Sequence, residues 1–188
     1  KKNTYISNTS GSSGHPFYFA KNKSCHARTW AIHKQRFSEL GLSFSSLEAR
    51  FFGAVNEHIG RSKEKIKDRL MNRIRFNVFD LSDVAMESFI RAFKKNEFDY
   101  VYGYTQTITI FSEFMIKNNI VLKDICPSIK TVIVTAELCS IEDRILIGKG
   151  FGVPVKDDYG ASEVGLLATE CDNGRWHIID ENVVVEVD

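Results

Sequence analysis

The sequence predicts an α/β fold: a parallel βαβαβ sheet with flanking helices and a small β-hairpin near the C-terminal end. Three observations carry this. Strand-like and helix-like segments alternate regularly between Asp99 and Gly160. The segment Thr131-Val132-Ile133-Val134-Thr135 is a β-branched run with strand character throughout. After it the rhythm changes, and Trp176–Ile179 and Val183–Val187 read as an antiparallel pair about Asp180-Glu181-Asn182. Consecutive strand–helix–strand units imply neighbouring parallel strands joined by right-handed crossovers.

Taken in order, Tyr5-Ile6-Ser7 reads as a short strand and runs into Asn8–Pro16, which has loop composition. Strand-like sequence resumes from Pro16 to Phe19. From Ser24 to Leu40 the spacing of Ala27, Trp30, Ala31, Phe37 and Leu40 predicts a helix with that face in the core. Arg50–Val55 and Phe76–Phe79 are candidate strands. Ser82 is a candidate N-cap with Asp83 in the first turn, followed by Val84, Phe89, Ile90 and Phe93 on one face. Asp99–Tyr102 is a strand ended by Gly103. Thr107–Asn118 is a helix with Ile108, Phe111, Phe114 and Met115 inward. Ser140–Lys149 is a helix capped by Ser140, and Val153–Tyr159 is a strand ending at Gly160.

Composition narrows the class. The chain has 188 residues, enough for one domain or slightly more, and 43% are apolar, which supports a sizeable core. Lys plus Arg number 25 against 24 Asp plus Glu, a balance that excludes a general nucleic-acid coat. No apolar run reaches the roughly 18 residues of a transmembrane helix, so no membrane insertion is expected. Lys1-Lys2-Asn3-Thr4 leads into no signal-peptide core. The four cysteines, Cys25, Cys126, Cys139 and Cys171, are widely spaced, which argues against a disulfide framework and for a cytoplasmic setting. Arg61–Arg75 carries seven basic residues against two acidic ones; it reads as a solvated face or as a contact for an anionic partner.

Ligands of open parallel sheets bind outside the carboxyl ends of the strands. The residues expected there are Tyr102-Gly103-Tyr104, Ala136-Glu137 and Tyr159-Gly160-Ala161-Ser162-Glu163. Tyrosine faces suit a flat ring, and a carboxylate suits a metal-bound phosphate. The loop Thr9-Ser10-Gly11-Ser12-Ser13-Gly14 adds four hydroxyls and two glycines. Glycines let successive N–H groups curl towards an anion. The loop lacks the lysine and the spacing of a G-x-x-x-x-G-K-[ST] motif.

Two of these segments carry a resemblance. Thr9-Ser10-Gly11-Ser12-Ser13-Gly14-x-Pro16 resembles the phosphate-binding signature of adenylate-forming enzymes, the acyl–coenzyme A synthetase and ligase superfamily. Tyr159-Gly160-Ala161-Ser162-Glu163 resembles that family's tyrosine–glycine–x–threonine–glutamate signature. Ser10–Phe17, Tyr102-Gly103-Tyr104 and the stretch from Glu170-Cys171 to Gly174-x-x-His177 resemble the phenylacetate–coenzyme A ligase-like branch, capsular-polysaccharide-biosynthesis proteins included. The likeness runs from about Tyr5 to Glu186.

The resemblance implies the following roles. Thr9, Ser10, Ser12, Ser13 and the amides of Gly11 and Gly14 would hold the β- and γ-phosphates of ATP. Ala136 and Glu137 would border the adenine, with Tyr159 stacked on it next to Gly160. Ser162 would touch the α-phosphate, and Glu163 would bind Mg2+. Tyr102, Gly103 and Tyr104 would lie near the acyl pocket. The implied reaction makes an acyl-adenylate from a carboxylic acid and ATP, with transfer to coenzyme A or another acceptor. Deazaflavin-adenylylating synthetases of the same branch offer a variant without thiol transfer. His15 stands where many relatives have lysine, and Ser162 where they have threonine. The family's ribose-binding aspartate, hinge and lysine-bearing C-terminal domain have no counterpart before Asp188. The chain therefore reads as 1–188 of a partial large domain, truncated at both ends and of little activity alone. The competing reading is a non-catalytic nucleotide-binding or interaction module. Cys171 and His177 are also candidate zinc ligands, although a structural zinc needs four.

Overall fold

The computed structural model describes residues 4–9, 15–53, 65–180 and 183–186. It resolves into two compact units: Lys1–Gly41 with Asp158–Asp188, and Leu42–Asp157. The described strands form two sheets, one of seven strands and one of two.

The Leu42–Asp157 unit holds the parallel part. Its strands are β3 (Glu48–Phe51), β4 (Arg73–Arg75), β5 (Tyr100–Tyr104) and β6 (Thr131–Thr135), and β7 (Val155–Ala161) starts within it. β3 pairs in parallel with β4 and β5, and β5 in parallel with β6, register Tyr100↔Thr131 to Tyr104↔Thr135. All five residues of β6 are buried, as expected of a central strand covered on both faces.

Helices connect these strands, after a short helical stretch over 65–70. α2 (Asp83–Lys95) begins where the Ser82 hydroxyl accepts from the Ala85 N–H, and it buries Met86, Phe89, Ile90 and Phe93. Val84 is 73% exposed, because the inward face is keyed by Met86, three residues before Phe89. α3 (Thr105–Lys117) buries Ile108, Phe111 and Met115 as expected, and Phe114 is half-buried. After the single turn α4 (Leu122–Ile125), α5 (Ile141–Phe151) opens on a reciprocal capping box between Ser140 and Asp143. It stops at Gly152, which takes the left-handed conformation at φ +69°.

The core of this unit is aromatic. Phe51, Phe76, Phe89, Phe93, Phe98, Phe111 and Phe151 form one buried cluster, with Phe51 stacked on Phe76 at 4.7 Å between centroids. Gly103 allows this packing, since a Cβ there would collide with the Phe51 backbone carbonyl across the β3–β5 pair.

The other unit begins with the antiparallel pair β1 (Thr4–Asn8) and β2 (Tyr18–Asn22). Asn22 then caps α1 (Lys23–Glu39), its side chain accepting from the Cys25 N–H at 2.8 Å. The rest of β7 pairs antiparallel with β8 (Gly165–Glu170), and β8 with β9 (Trp176–Ile178). α1 is tied to β7 by a buried ion pair: Arg36 Nε donates to Asp158 Oδ1 at 3.1 Å, and both side chains are almost fully buried.

Several sequence expectations are corrected. The strand expected at Phe76–Phe79 lies at Arg73–Arg75 instead, and that at Arg50–Val55 is Glu48–Phe51, with 54–55 outside the described residues. β9 pairs with β8 across the turn 171–175, not with Val183–Val187; residues 183–186 form no strand, and 181, 182 and 187 lie outside the described residues. Trp30, Ala27 and Ala31 are exposed, and the half-buried or buried face of α1 is Cys25, Thr29, Ile32, Arg36 and Leu40. Trp30 instead joins a ladder of rings along the helix, donating from Nε1 to His26 Nε2 at 3.0 Å, while His26 Nδ1 meets the Tyr5 hydroxyl. Cys25, Cys139 and Cys171 are half-buried, and Cys126 is in the core. Of the basic stretch, Arg73 and Arg75 are not solvated charges, because both pair with Asp68; 61–64 lie outside the described residues.

Candidate functional site

At the carboxyl end of β5 the chain turns directly into α3, with Tyr104 in the N-cap position and no side-chain cap of its own. The first turn of a helix leaves several N–H groups without partners. Glu137, just past the end of β6, supplies one: its Oε2 accepts from the Gln106 N–H at 2.8 Å. The Thr105 hydroxyl donates to the Glu137 carbonyl at 3.3 Å. Ala136 sits at φ +70°, a rare conformation for a residue with a Cβ, and this kink returns the chain so that Glu137 reaches α3. The structure thus brings the ends of β5 and β6 together as one polar junction.

Around that junction Tyr102 and Tyr104 are half-buried, with ring centroids 5.3 and 4.7 Å from that of Phe52. The Arg50 guanidinium lies over the Phe52 ring at 4.4 Å. It also donates from Nη1 to Glu48 Oε1 at 2.7 Å, and Glu48 Oε2 accepts from the buried Tyr100 hydroxyl at 2.9 Å. Burial first, then the Glu48 charge and hydrogen bond, push the Tyr100 hydroxyl far above the ordinary tyrosine range, so it remains a donor.

The third expected strand end belongs to the other unit. Tyr159 is 63% exposed, which leaves a ring face open. A register shift falls between Tyr159 and Gly160. Gly160 is required there, since a Cβ would stand 2.5 Å from the Gly165 carbonyl oxygen. Ser162 and Glu163 follow on the exposed turn before β8. An exposed carboxylate on a turn fits a hard, oxygen-ligated cation such as Mg2+, which keeps several waters and takes one or two protein carboxylates.

Of the candidate phosphate loop, Ser10, Gly11, Ser12, Ser13 and Gly14 lie outside the described residues. Thr9 is described, and it closes the neck of the loop. Its N–H donates to the Phe17 carbonyl and its hydroxyl accepts from the Phe17 N–H, both at 3.0 Å. That hydroxyl therefore holds the hairpin together before it meets any ligand.

Cys171 and His177 do come together. β8 and β9 pair Thr169 with His177, and Cys171, two residues on, projects to the same face as Thr169. The Arg175 N–H, then the His177 ring, then the Asn173 N–H all stabilise the thiolate and hold the Cys171 thiol below the ordinary cysteine range. Among the described residues, no group of three or more His, Cys, Asp or Glu side chains is gathered to hold a metal ion.

Sequence reasoning missed two of these relations, the Glu137–Gln106 cap and the Arg36–Asp158 pair. The partners are 31 and 122 residues apart. The only local signal was Arg36 recurring on the face set by Cys25, Thr29 and Ile32.

No family model and no curated protein matches the sequence. Solved structures with the same fold do exist. A 2-hydroxyisobutyryl-CoA ligase in an open conformation, in complex with 2-HIB-AMP and CoA, aligns with TM-score 0.60 at 12% identity, covering 90% of this chain and 39% of that one. A long-chain-fatty-acid-CoA ligase (FadD1) from Archaeoglobus fulgidus aligns with TM-score 0.60 at 11% identity, covering 94% and 34%. A malonyl-CoA ligase ternary product complex with methylmalonyl-CoA and AMP aligns with TM-score 0.60 at 14% identity, covering 90% and 35%. At these identities the likeness is one of fold. The chain spans between 34% and 39% of the length of these three proteins.

Proposed function

We propose that this chain carries a nucleotide-binding part of an enzyme that uses ATP to activate a carboxylic acid as an acyl-adenylate, releasing pyrophosphate, with coenzyme A or another nucleophile as the final acceptor. The observation that carries the reading is Tyr159–Glu163: an open tyrosine face, an obligatory glycine, a hydroxyl and an exposed carboxylate, in order, at the end of β7. The fold is one that CoA ligases also have, and their solved complexes contain acyl-AMP, AMP and CoA.

In this reading Tyr159 stacks on the adenine ring and Ser162 donates to the α-phosphate. Glu163 holds Mg2+, which neutralises phosphate charge. Ala136 and Glu137 border the base, with the Glu137 carboxylate also fixed to the start of α3. Tyr102 and Tyr104 flank the acyl group. Thr9 holds the base of the phosphate loop. The protein's contribution is positioning and charge neutralisation more than covalent chemistry.

The test is pyrophosphate release from ATP by the whole protein, across a panel of short, branched, dicarboxylic and long-chain acids. Acid-dependent release is expected, and Glu163→Gln should lower it about a hundredfold, as for loss of one electrostatic group at a transferring phosphate. ATP binding without release for any acid would favour the non-catalytic module.

A further inference from the structure

Both ends of the Tyr159–Glu163 turn rest on one helix. At its start Arg36 of α1 holds Asp158: Nε donates to Asp158 Oδ1 at 3.1 Å, and Nη2 lies 3.0 Å from the same oxygen. At its end Gly165 takes φ +86°, and α1 lies so near that a Cβ there would stand 3.5 Å from the Thr29 hydroxyl oxygen. Thr29 and Arg36 are about two helical turns apart on one face of α1. We propose that Arg36 is a positioning residue for ATP, which through Asp158 sets how Tyr159, Ser162 and Glu163 meet the nucleotide. This role rests on Tyr159–Glu163 being the nucleotide turn.

The β7–β8 ladder is interrupted at this turn. Asp158 pairs with Thr169 and Tyr159 with Ala168, but Gly160 pairs with Leu166, so the register shifts just after Tyr159. Such an irregularity disrupts the ladder locally and bends its strand. Asp158 is the last residue before the turn, which makes it the point where an outside anchor has most leverage. The anchor is stiff. Both side chains are almost fully buried, so water and salt screen the pair little. The planar guanidinium adds direction to the charge. Glu39, half exposed and 3.8 Å from Arg36 Nη1, makes the weaker contact.

The same helix reaches the other part of the proposed site. Asn22 is both the last residue of β2 and the N-cap of α1, so the hairpin whose neck Thr9 closes runs into the helix without a linker. Arg36 therefore joins the strand end that would take the adenine to the element that follows the phosphate loop. Nucleotide chemistry is sensitive to such spacing. A misplacement of about 1 Å can cost about a hundredfold in rate, even when it arises far from the reacting atoms.

The experiment compares the whole protein with its Arg36→Lys and Arg36→Met/Asp158→Leu variants. The readouts are urea denaturation, calorimetric binding of ATP with Mg2+, and hydrogen exchange of the nucleotide-free protein. The double variant fills the same space without directing it. It should recover most of the stability that Arg36→Met loses, yet bind ATP about tenfold more weakly than the wild type. Exchange should quicken in peptides covering 159–165 and stay unchanged in β5 and β6. Arg36→Lys keeps the charge and loses the planar fork, and it should show the same split to a smaller degree. A merely structural pair would let affinity follow stability, so wild-type affinity and exchange in a folded variant would overturn the positioning role alone. Failure of the wild-type protein to bind ATP is a separate outcome: it would overturn the nucleotide reading of Tyr159–Glu163, and this role with it.

Discussion

Glu137 shows how much one side chain settles. Its carboxylate accepts from the Gln106 N–H in the first turn of α3, where the helix dipole also favours negative charge. Glu137→Ala should cost about 1 kcal/mol in urea denaturation, the usual value of a lost N-terminal cap, and Glu137→Gln clearly less because an acceptor remains. Asp68 makes a second case. Burial raises its carboxyl, but hydrogen bonds from Arg75 and Arg73 and their charges outweigh this and hold it below the ordinary carboxylate range. A group depressed on folding stabilises above its unfolded value, near 3.9, and loses that contribution as pH falls through the folded value. Asp68→Asn should therefore flatten the acid limb of the stability profile below about pH 4, and an unchanged limb would remove Asp68 from it. The candidate residues at strand ends were legible in the sequence because β-branched runs and glycines mark where strands stop. Their partners were not, because hydrogen bonds over 31 residues leave no local trace.

At the scale of the element, periodicity located the four longest described helices, missed the short ones over 65–70 and Leu122–Ile125, and misjudged one face. On α1 the apolar residues Ala27, Trp30 and Ala31 suggested the core side, yet the buried face carries Thr29 and Arg36. The reason is the buried Arg36–Asp158 pair, which makes a charged residue an interior one. Removing one partner, as in Arg36→Met, strands a buried charge and should cost about 3–5 kcal/mol in chemical denaturation. The double variant Arg36→Met/Asp158→Leu should recover much of that loss, and no recovery would mean that the pair is not the source. Strand pairing followed the same logic. β9 found β8 rather than 183–186, since a turn at Gly174 allows immediate antiparallel return. Gly160→Ala should distort the β7–β8 pair through contact with the Gly165 carbonyl, at about 1–3 kcal/mol.

For the whole molecule, the alternation β5-α3-β6-α5-β7 is what the sequence made legible, and it survives in the strand order of the sheet. The aromatic core that supports β5 and β6 draws on Phe residues from Phe51 to Phe151, so no single segment announces it. The same fold occurs in CoA ligases at identities of 11–14%, one of them solved with 2-HIB-AMP and another with AMP. The reading of this chain as nucleotide-binding therefore stands or falls on where a nucleotide lands. Photolabelling the whole protein with 8-azidoadenosine triphosphate in the presence of Mg2+, followed by peptide mapping, tests this directly. Adducts are expected on the peptides that carry Tyr159–Glu163 and Ala136-Glu137, suppressed by excess ATP. Labelling elsewhere, or none that ATP suppresses, would contradict the account.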